Sequence, residues 1–262
     1  MSLRKSFKAS LMQGLSFFGL ALLATSCATD GHKSLTKNER ARLLVDAASG
    51  AIAEGDPTGA LQLLVQAEKE DAKIPELYHT RSLAFFYKHD LNQAIRDSRK
   101  AIEIKPDYSE AQNTLGKFLL DAGQSKEAEK HLKIAAADPL YRETFKAHTN
   151  LGILYYRGGD YHGALSELDK AILEEPNSAC VAYYYRGHLE LKEGRFPDAV
   201  KDYASATRRF CAGFADAHFA LGIAYERGKQ YDLAKKKFLD IRQAFPNTKV
   251  ADQAVERLKY LP

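Results

Sequence analysis

The sequence is poor in the features that many classes of protein require. Only 8 of its 262 residues are proline and 17 are glycine, so few positions interrupt regular secondary structure. Alanine, leucine, lysine and glutamate are abundant, and these residues favour helix. No run after the first thirty residues is apolar enough to span a bilayer. The composition, 45% hydrophobic and 27% charged, therefore indicates a folded helical protein rather than a disordered one.

Sequence signatures of catalysis are also missing. There is no HExxH, GxSxG or Walker loop, and no GxGxxG in the context of a strand. The eight histidines are scattered, and neither they nor the three cysteines have the spacing of a zinc site. We therefore expect a protein that is not an enzyme, that holds no metal or other cofactor, and that has no small-molecule substrate.

The chain has no strong excess of charge of either sign. Its formal net charge is +4, but three of the basic residues lie near the N-terminus. Without residues 1–26, 35 basic residues stand against 34 acidic ones. This balance argues against a basic surface for nucleic acid.

The N-terminal segment differs from the rest of the chain. Arg4, Lys5 and Lys8 precede the uncharged apolar stretch 11–23 (LMQGLSFFGLALL). This order is typical of a secretory signal peptide. A retained membrane anchor is the alternative, which the short apolar run disfavours. The ending LLATSC resembles a bacterial lipoprotein box, and that resemblance implies cleavage after residue 26 and acylation of Cys27.

The same resemblance implies a destination for the protein. Residue 28 is alanine rather than the aspartate that resembles an inner-membrane retention signal. We therefore expect an outer-membrane lipoprotein that faces the periplasm, with residues 27–35 as a lipidated tether. Several acyl chains on one cysteine would anchor the protein firmly in the membrane, because each buried methylene contributes about 0.8 kcal/mol to membrane binding.

A period of about 35 residues runs through the remaining chain, and small residues recur at three of its positions. The series are Ala60, Ala94, Ala128, Ala164, Ala199 and Ala234; Ala67, Ala101, Ala135, Ala171, Ala206 and Ile241; and Ala48, Ser82, Gly116, Gly152, Gly187 and Gly222. Helices cross closely where side chains are small. We therefore predict repeated helical hairpins in which the small residue of the first helix, such as Gly152, faces the first small residue of the second, here Ala164.

The spacing of Leu-Gly, Tyr, Gly-Asp, Ala, Ala and Pro within 145–176 resembles a tetratricopeptide repeat, whose period is 34 residues. The prediction is an all-α tetratricopeptide-repeat superhelix that begins at the capping box Thr36–Glu39 and occupies residues 36–262 after the signal peptide at 1–26. We place the hairpins at about 41–74, 75–108, 109–142, 145–178, 180–213 and 215–248, with a capping helix in 249–262.

Two cysteines fall in the fifth predicted repeat. Cys180 lies near the start of its first helix and Cys211 follows the end of its second, and antiparallel helices bring those ends together. In an oxidising periplasm the two could form a disulfide. Two separate buried thiols are the alternative.

The first helix of each repeat should line a concave face, and positions 2, 5, 9, 12 and 13, counted from the start of the repeat, should point into it. Several of these positions are apolar or aromatic, which is typical of a partner-binding surface. The predicted groove residues are Leu83, Phe86, Leu120, Ile153, Tyr156, Tyr184, Leu191, Phe219 and Ile223. The alternative is that a tightly wound superhelix buries these side chains against each other.

The combination of lipoprotein signal, short tether, six repeats and cap resembles the type IV pilus biogenesis/stability lipoproteins, the PilF/PilW family that includes Tgl. Segment 137–143 (ADPLYRE), followed by Asn-Leu-Gly at 150–152, is similar to the family's joint between repeats three and four. The resemblance implies a pilotin. Such a protein binds the outer-membrane secretin subunit and promotes its localisation or multimer assembly, and it contacts the membrane through its N-terminal lipid.

A second interpretation remains open. The chain could be a periplasmic tetratricopeptide-repeat adaptor lipoprotein that serves other envelope machinery, such as peptidoglycan enzymes or outer-membrane protein assembly.

Overall fold

The computed structural model describes residues 34–262, so the predictions for the signal peptide and for Cys27 lie outside the described residues. Helices account for all regular structure within this range, which confirms the all-α prediction. The helices pair as α1 (Lys37–Ala53) with α2 (Pro57–Glu70), α3 (Pro75–Tyr87) with α4 (Leu91–Ile104), α5 (Ser109–Asp121) with α6 (Ser125–Ala136), α7 (Thr144–Gly158) with α8 (Tyr161–Glu174), α9 (Cys180–Lys192) with α10 (Phe196–Ser205), and α11 (Ala215–Arg227) with α12 (Tyr231–Ala244), and α13 (Lys249–Leu258) follows.

Local capping explains where several helices begin. Thr36 and Glu39 form the predicted capping box at the start of α1, and each side chain accepts from the other's backbone N–H. The helices α2, α4 and α8 follow Asp56, Asp90 and Asp160, whose carboxylates accept from the backbone N–H three residues later. These caps satisfy N–H groups that have no partner within the helix.

The last four hairpins close by packing a large side chain of the second helix against a glycine of the first. A Cβ built on Gly152 would lie 2.7 Å from Leu168, whereas the nearest atom of Ala164 is its backbone oxygen at 3.4 Å. Gly152 thus lies close to Ala164, as expected, but the side chain that fills the space beside it belongs to Leu168. The glycine makes room for the large residue one turn beyond, and Gly187 does the same for the ring of Tyr203.

The hairpins stack in chain order. Each second helix contacts the first helix of the next hairpin, and first helices of neighbouring hairpins also touch, as α5 with α7 and α7 with α9. The first helices consequently line one face of the solenoid. The last helix, α13, packs on α12 and α11. None of the helices in 34–262 combines the length and the apolar character needed to cross a bilayer.

Repeat five has an additional covalent link. Cys180 and Cys211 are joined by a disulfide with their Cα atoms 5.5 Å apart. Cys211 belongs to a 3₁₀ helix, Arg209–Cys211, that follows α10. The helix α10 has only 10 residues, against 14 in α8 and α12. The disulfide holds the segment in which the last helical turn of this repeat is missing.

Candidate peptide-binding groove

A cavity of about 730 Å³ opens on the face formed by α5, α7 and α9. Both helix residues and the two joints that precede α7 and α9 contribute to it. The lining consists of Asn113, Lys117, Arg142, Glu143, Phe145, Lys146, Thr149, Asn150, Ile153, Glu175, Ser178, Ala179, Cys180 and Val181. A cavity of this size is large enough to hold several side chains of a bound segment.

Two asparagines meet at the centre of this lining. Asn150 Nδ2 donates to Asn113 Oδ1 over 2.9 Å, which bridges α7 and α5. A carboxamide offers two donors and an acceptor with two lone pairs, so each asparagine keeps hydrogen-bonding capacity beyond this bond. Asn113 is only 8% exposed and Asn150 is half-buried, so the pair offers its remaining capacity to the backbone of an extended peptide mainly through Asn150. Apolar contact is available beside it from Phe145, Ile153 and Val181.

Charged side chains surround the cavity with a small positive excess. Lys117, Arg142 and Lys146 stand against two carboxylates, Glu143 and Glu175. Lys146 pairs with Glu143, and Lys117 Nζ lies 3.1 Å from a carboxylate of Asp121 on its own helix. Arg142 is exposed and makes no ion pair with a carboxylate within residues 34–262.

A second cleft of about 650 Å³ lies at the opposite ends of the first helices. Its lining consists of Tyr156, His188, Leu191, Lys192, Gly194, Phe196, Ile223 and Arg227. One side of the cleft, its aromatic wall, has Tyr156 and His188 at its surface. Two further rings pack against them: the centroid of Tyr185 lies 5.3 Å from that of Tyr156, and that of Tyr184 lies 4.2 Å from that of His188. Burial raises the pKa of Tyr184 to about 12 and lowers that of His188. This aromatic wall is therefore uncharged at neutral pH.

Four of the nine predicted groove residues border these two openings. Ile153 lines the first cavity, and Tyr156, Leu191 and Ile223 line the second cleft. The asparagine-centred cavity and this cleft share the face on which sequence analysis placed the groove.

The other five predicted residues pack between helices. Leu120 is only 6% exposed, Phe86 stacks on Phe118 with ring centroids 4.8 Å apart, and Phe219 contacts Phe238. Leu83 and Tyr184 are half-buried among neighbouring apolar side chains. The superhelix thus winds tightly enough to bury part of its concave face, which was the stated alternative for these positions.

Sequence reasoning missed several residues of the first cavity. Lys146 occupies the second position of its repeat and follows the counting rule that found Ile153, whereas Asn150 stands one position after a groove position. Glu175 and Ser178 belong to the joint between repeats, where no periodic signal operates. The cavity presents donors, acceptors and apolar surface, and no cluster of three or more potential metal ligands occurs in residues 34–262.

Comparisons with known proteins agree with this architecture. Models of the tetratricopeptide repeat match residues 85–151, 146–178 and 184–247, which together make up more than half of the chain. Among curated proteins, the chain is 22% identical to a DnaJ homolog subfamily C member 7 homolog of Dictyostelium discoideum over 56% of its length. It is 26% identical to DnaJ homolog subfamily C member 3 of Bos taurus over 55% of this chain. It spans less than a third of either relative, 30% and 31%.

Two similar solved structures are matched along nearly their whole length. PilW, described as a widely conserved type IV pilus biogenesis factor, superposes with a TM-score of 0.73 at 21% identity, over 83% of this chain and 99% of PilW. PilF of Pseudomonas aeruginosa superposes with a TM-score of 0.70 at 18% identity, over 84% of this chain and 99% of PilF. The chain thus belongs to the tetratricopeptide-repeat proteins, and it has the fold of the type IV pilus biogenesis factors PilW and PilF.

Proposed function

We propose that this protein is a pilotin, which binds the secretin of a type IV pilus and promotes its assembly in the outer membrane. The observation that carries the proposal is the full-length correspondence with PilW, of which 99% aligns. By contrast, the anaphase-promoting complex subunit Cut9, in its complex with Hcn1, reaches the same TM-score, but only 43% of that chain aligns. The number and arrangement of hairpins therefore favour the pilus factors over large repeat scaffolds.

The membrane anchor is the second part of the proposal. The basic, apolar and small-residue segments that precede Cys27 support cleavage and acylation at that residue, with the solenoid facing the periplasm. Replacement of Cys27 by serine should abolish metabolic labelling with palmitate and release the folded protein from the outer membrane. Unchanged labelling would contradict acylation at Cys27.

The asparagine-centred cavity is the proposed secretin site. The side chains of Asn113 and Asn150 recognise the backbone of an extended secretin segment, and Phe145 and Val181 contact its apolar side chains. The positive excess at Lys117, Arg142 and Lys146 favours a segment that carries a carboxylate. Binding of this kind is non-covalent and needs no cofactor.

Affinity capture tests this site. The variant Lys146→Glu/Val181→Glu places two negative charges on the cavity lining at exposed positions, so the fold should persist. The matched control Val65→Glu/Lys69→Glu makes the same changes on α2, also at exposed positions. From detergent-solubilised outer membrane, the control should recover secretin like the wild type. The cavity variant should recover roughly tenfold less, as expected when central contacts are lost.

Equal recovery with both variants would contradict the site. Recovery of peptidoglycan enzymes or barrel-assembly subunits in place of secretin, sensitive to the same cavity variant, would favour an adaptor for other envelope machinery.

A further inference from the structure

Three large apolar side chains stand out by their exposure. Leu140 is 87% exposed, Leu173 is 83% and Phe210 is 82%, and these are the highest values for large hydrophobic residues in 34–262. Single exposed leucines are common on protein surfaces, but the positions of these three are not scattered. We call them the apolar row.

The apolar row occupies one edge of the solenoid in three consecutive repeats. Leu140 lies in the joint between α6 and α7, Leu173 in the last turn of α8, and Phe210 in the 3₁₀ helix after α10. Each is thus at the edge where second helices end and first helices begin.

Hydrogen bonds connect the segments that carry neighbouring members of the row. Thr144 Oγ1, close to the first member, donates to Glu174 Oε2 beside the second over 3.0 Å. Arg209 Nη1, beside the third member, donates to Asn177 Oδ1 over 2.6 Å. The three side chains therefore belong to adjoining segments of one edge rather than to separate surfaces.

The N-terminal segment leaves the solenoid at this same edge. Helix α1 begins at Lys37 beside the end of α2, where Asn38 Nδ2 donates to Asp71 Oδ2 over 2.7 Å. Leu35, just before α1, is 47% exposed. Eight residues lie between Cys27 and Thr36, and even fully extended this stretch spans only about 30 Å. If Cys27 is acylated as proposed, the start of α1 therefore stays within about 30 Å of the membrane surface.

We propose that the edge carrying the apolar row is a membrane-contacting surface. Leu140, Leu173 and Phe210 insert into the boundary between phospholipid headgroups and acyl chains. The proposal rests on the lipid anchor proposed above.

The form of the edge favours a bilayer over a protein partner. The three side chains protrude singly from short segments and do not line a groove, so each can enter a fluid layer independently. An exposed arginine, Arg208, lies two residues before Phe210, and Arg142, which also lines the asparagine-centred cavity, lies two residues after Leu140. Arginine can extend its apolar stem along such a surface and place its guanidinium at the level of the phosphates.

Tryptophan fluorescence provides a direct test, because the chain contains no tryptophan. The variants Leu140→Trp, Leu173→Trp and Phe210→Trp each introduce one probe into the full-length lipidated protein. The control is Leu233→Trp, at a leucine that is 47% exposed in the first turn of α12, on the opposite edge. Each protein is reconstituted into vesicles of phosphatidylethanolamine and phosphatidylcholine brominated on its acyl chains.

The proposal predicts that the three row probes emit at shorter wavelength than Leu233→Trp and are quenched severalfold more strongly. Equal quenching at all four positions, in protein that still carries palmitate, would overturn it and leave the anchor intact. Absence of palmitate would instead contradict the anchor itself. Row probes that are unquenched in vesicles but shielded from acrylamide in native outer membrane would also overturn it, because a protein would then cover the edge.

Discussion

Repeats two and five show the same clamp built into different packing. In repeat two, Arg81 on α3 bonds Asp97 of its own hairpin and Glu68 of the preceding one, both over 2.8 Å. In repeat five, three repeats later, Arg186 on α9 bonds Asp202 and Asp169 in the same way, over 2.5 and 2.6 Å. Each arginine therefore ties together two consecutive second helices.

The interiors of the two hairpins differ. Repeat two has the small buried residues Ser82 and Ser98 at the positions where repeat five combines Gly187 with the large ring of Tyr203. Repeat five also ends its second helix early and closes with the Cys180–Cys211 disulfide. The comparison teaches that the arginine clamp is common scaffold, while the volume between the helices and the covalent link are specific to repeat five.

Removing the disulfide, which only repeat five of the two contains, should produce the largest loss of stability. The link joins residues 31 apart, and closing a loop of that length stabilises the folded state by about 3–4 kcal/mol. The variant Cys180→Ser/Cys211→Ser should lower the urea midpoint accordingly, and a reducing agent should do the same to the wild type. A reducing agent that lowers the midpoint of the double variant as well would contradict this assignment.

Breaking the arginine clamp should reduce the free energy of unfolding slightly less than removing the disulfide does. The reduction should be larger in repeat five than in repeat two. The Asp202 side chain is 3% exposed and that of Asp97 is 11%. Loss of a charge from a buried pair strands its partner, so we expect Asp202→Asn to reduce the free energy of unfolding by about 3 kcal/mol and Asp97→Asn by about 2 kcal/mol. Urea denaturation measures both. The reverse order would show that burial does not set the strength of the clamp.

Alanine substitution at the small residue of the first helix should also destabilise repeat five more than repeat two. A Cβ on Gly187 would approach the buried ring of Tyr203 to 2.9 Å, so Gly187→Ala should destabilise by about 2 kcal/mol through overpacking. Ser82→Ala adds no volume and removes one bond to the backbone oxygen of His79, which is worth about 1 kcal/mol or less. Thermal unfolding of the two variants checks the ranking, and equal shifts would contradict it.

The pH dependence should give the smallest and most specific difference. Burial raises the pKa of Glu190 in repeat five from 4.5 to about 7, and its Oε2 is buried without a partner. The folded state thus binds this proton more tightly, so its stabilising contribution is complete below pH 4.5 and disappears as the pH rises to 7. Repeat two has Phe85 at the equivalent position.

The contribution of a histidine in repeat two changes with pH in the opposite direction. Burial lowers the pKa of His79 from 6.5 to about 4, so its contribution to stability is present above pH 6.5 and is lost as the pH falls to 4. Between pH 4.5 and 7, Glu190→Gln should make the urea midpoint rise more with pH, and His79→Gln should make it rise less. Changes in the same direction would contradict these assignments.

Much of the fold could be predicted because small residues at fixed spacing constrain where helices can cross. The alanine and glycine series that include Gly152 and Ala164 located the hairpins. They did not specify that Leu168, one turn further, fills the space beside Gly152. The spacing of small residues shows where two helices can approach, but not which large side chain packs into the gap. The early end of α10 was also unpredictable, since neither proline nor glycine follows Ser205 directly.

The site was predictable only where it follows the repeat. Ile153 and Tyr156 line openings because the counting rule reflects which face of the first helix points inward. The burial of Leu120 and Phe219 depends on how tightly successive hairpins wind, which no single repeat encodes. Arg142 and Glu175 enter the cavity from joints, whose course depends on both adjoining hairpins.

The central claim, that the asparagine-centred cavity holds secretin, is tested most directly by photo-crosslinking in living cells. A benzophenone side chain replaces Val181, which is 39% exposed on the cavity lining, or Val65, which is 48% exposed on α2 as the control. A secretin adduct is expected from position 181 and none from position 65. Equal adducts from both positions, or none from position 181 in a protein that accumulates normally, would contradict it.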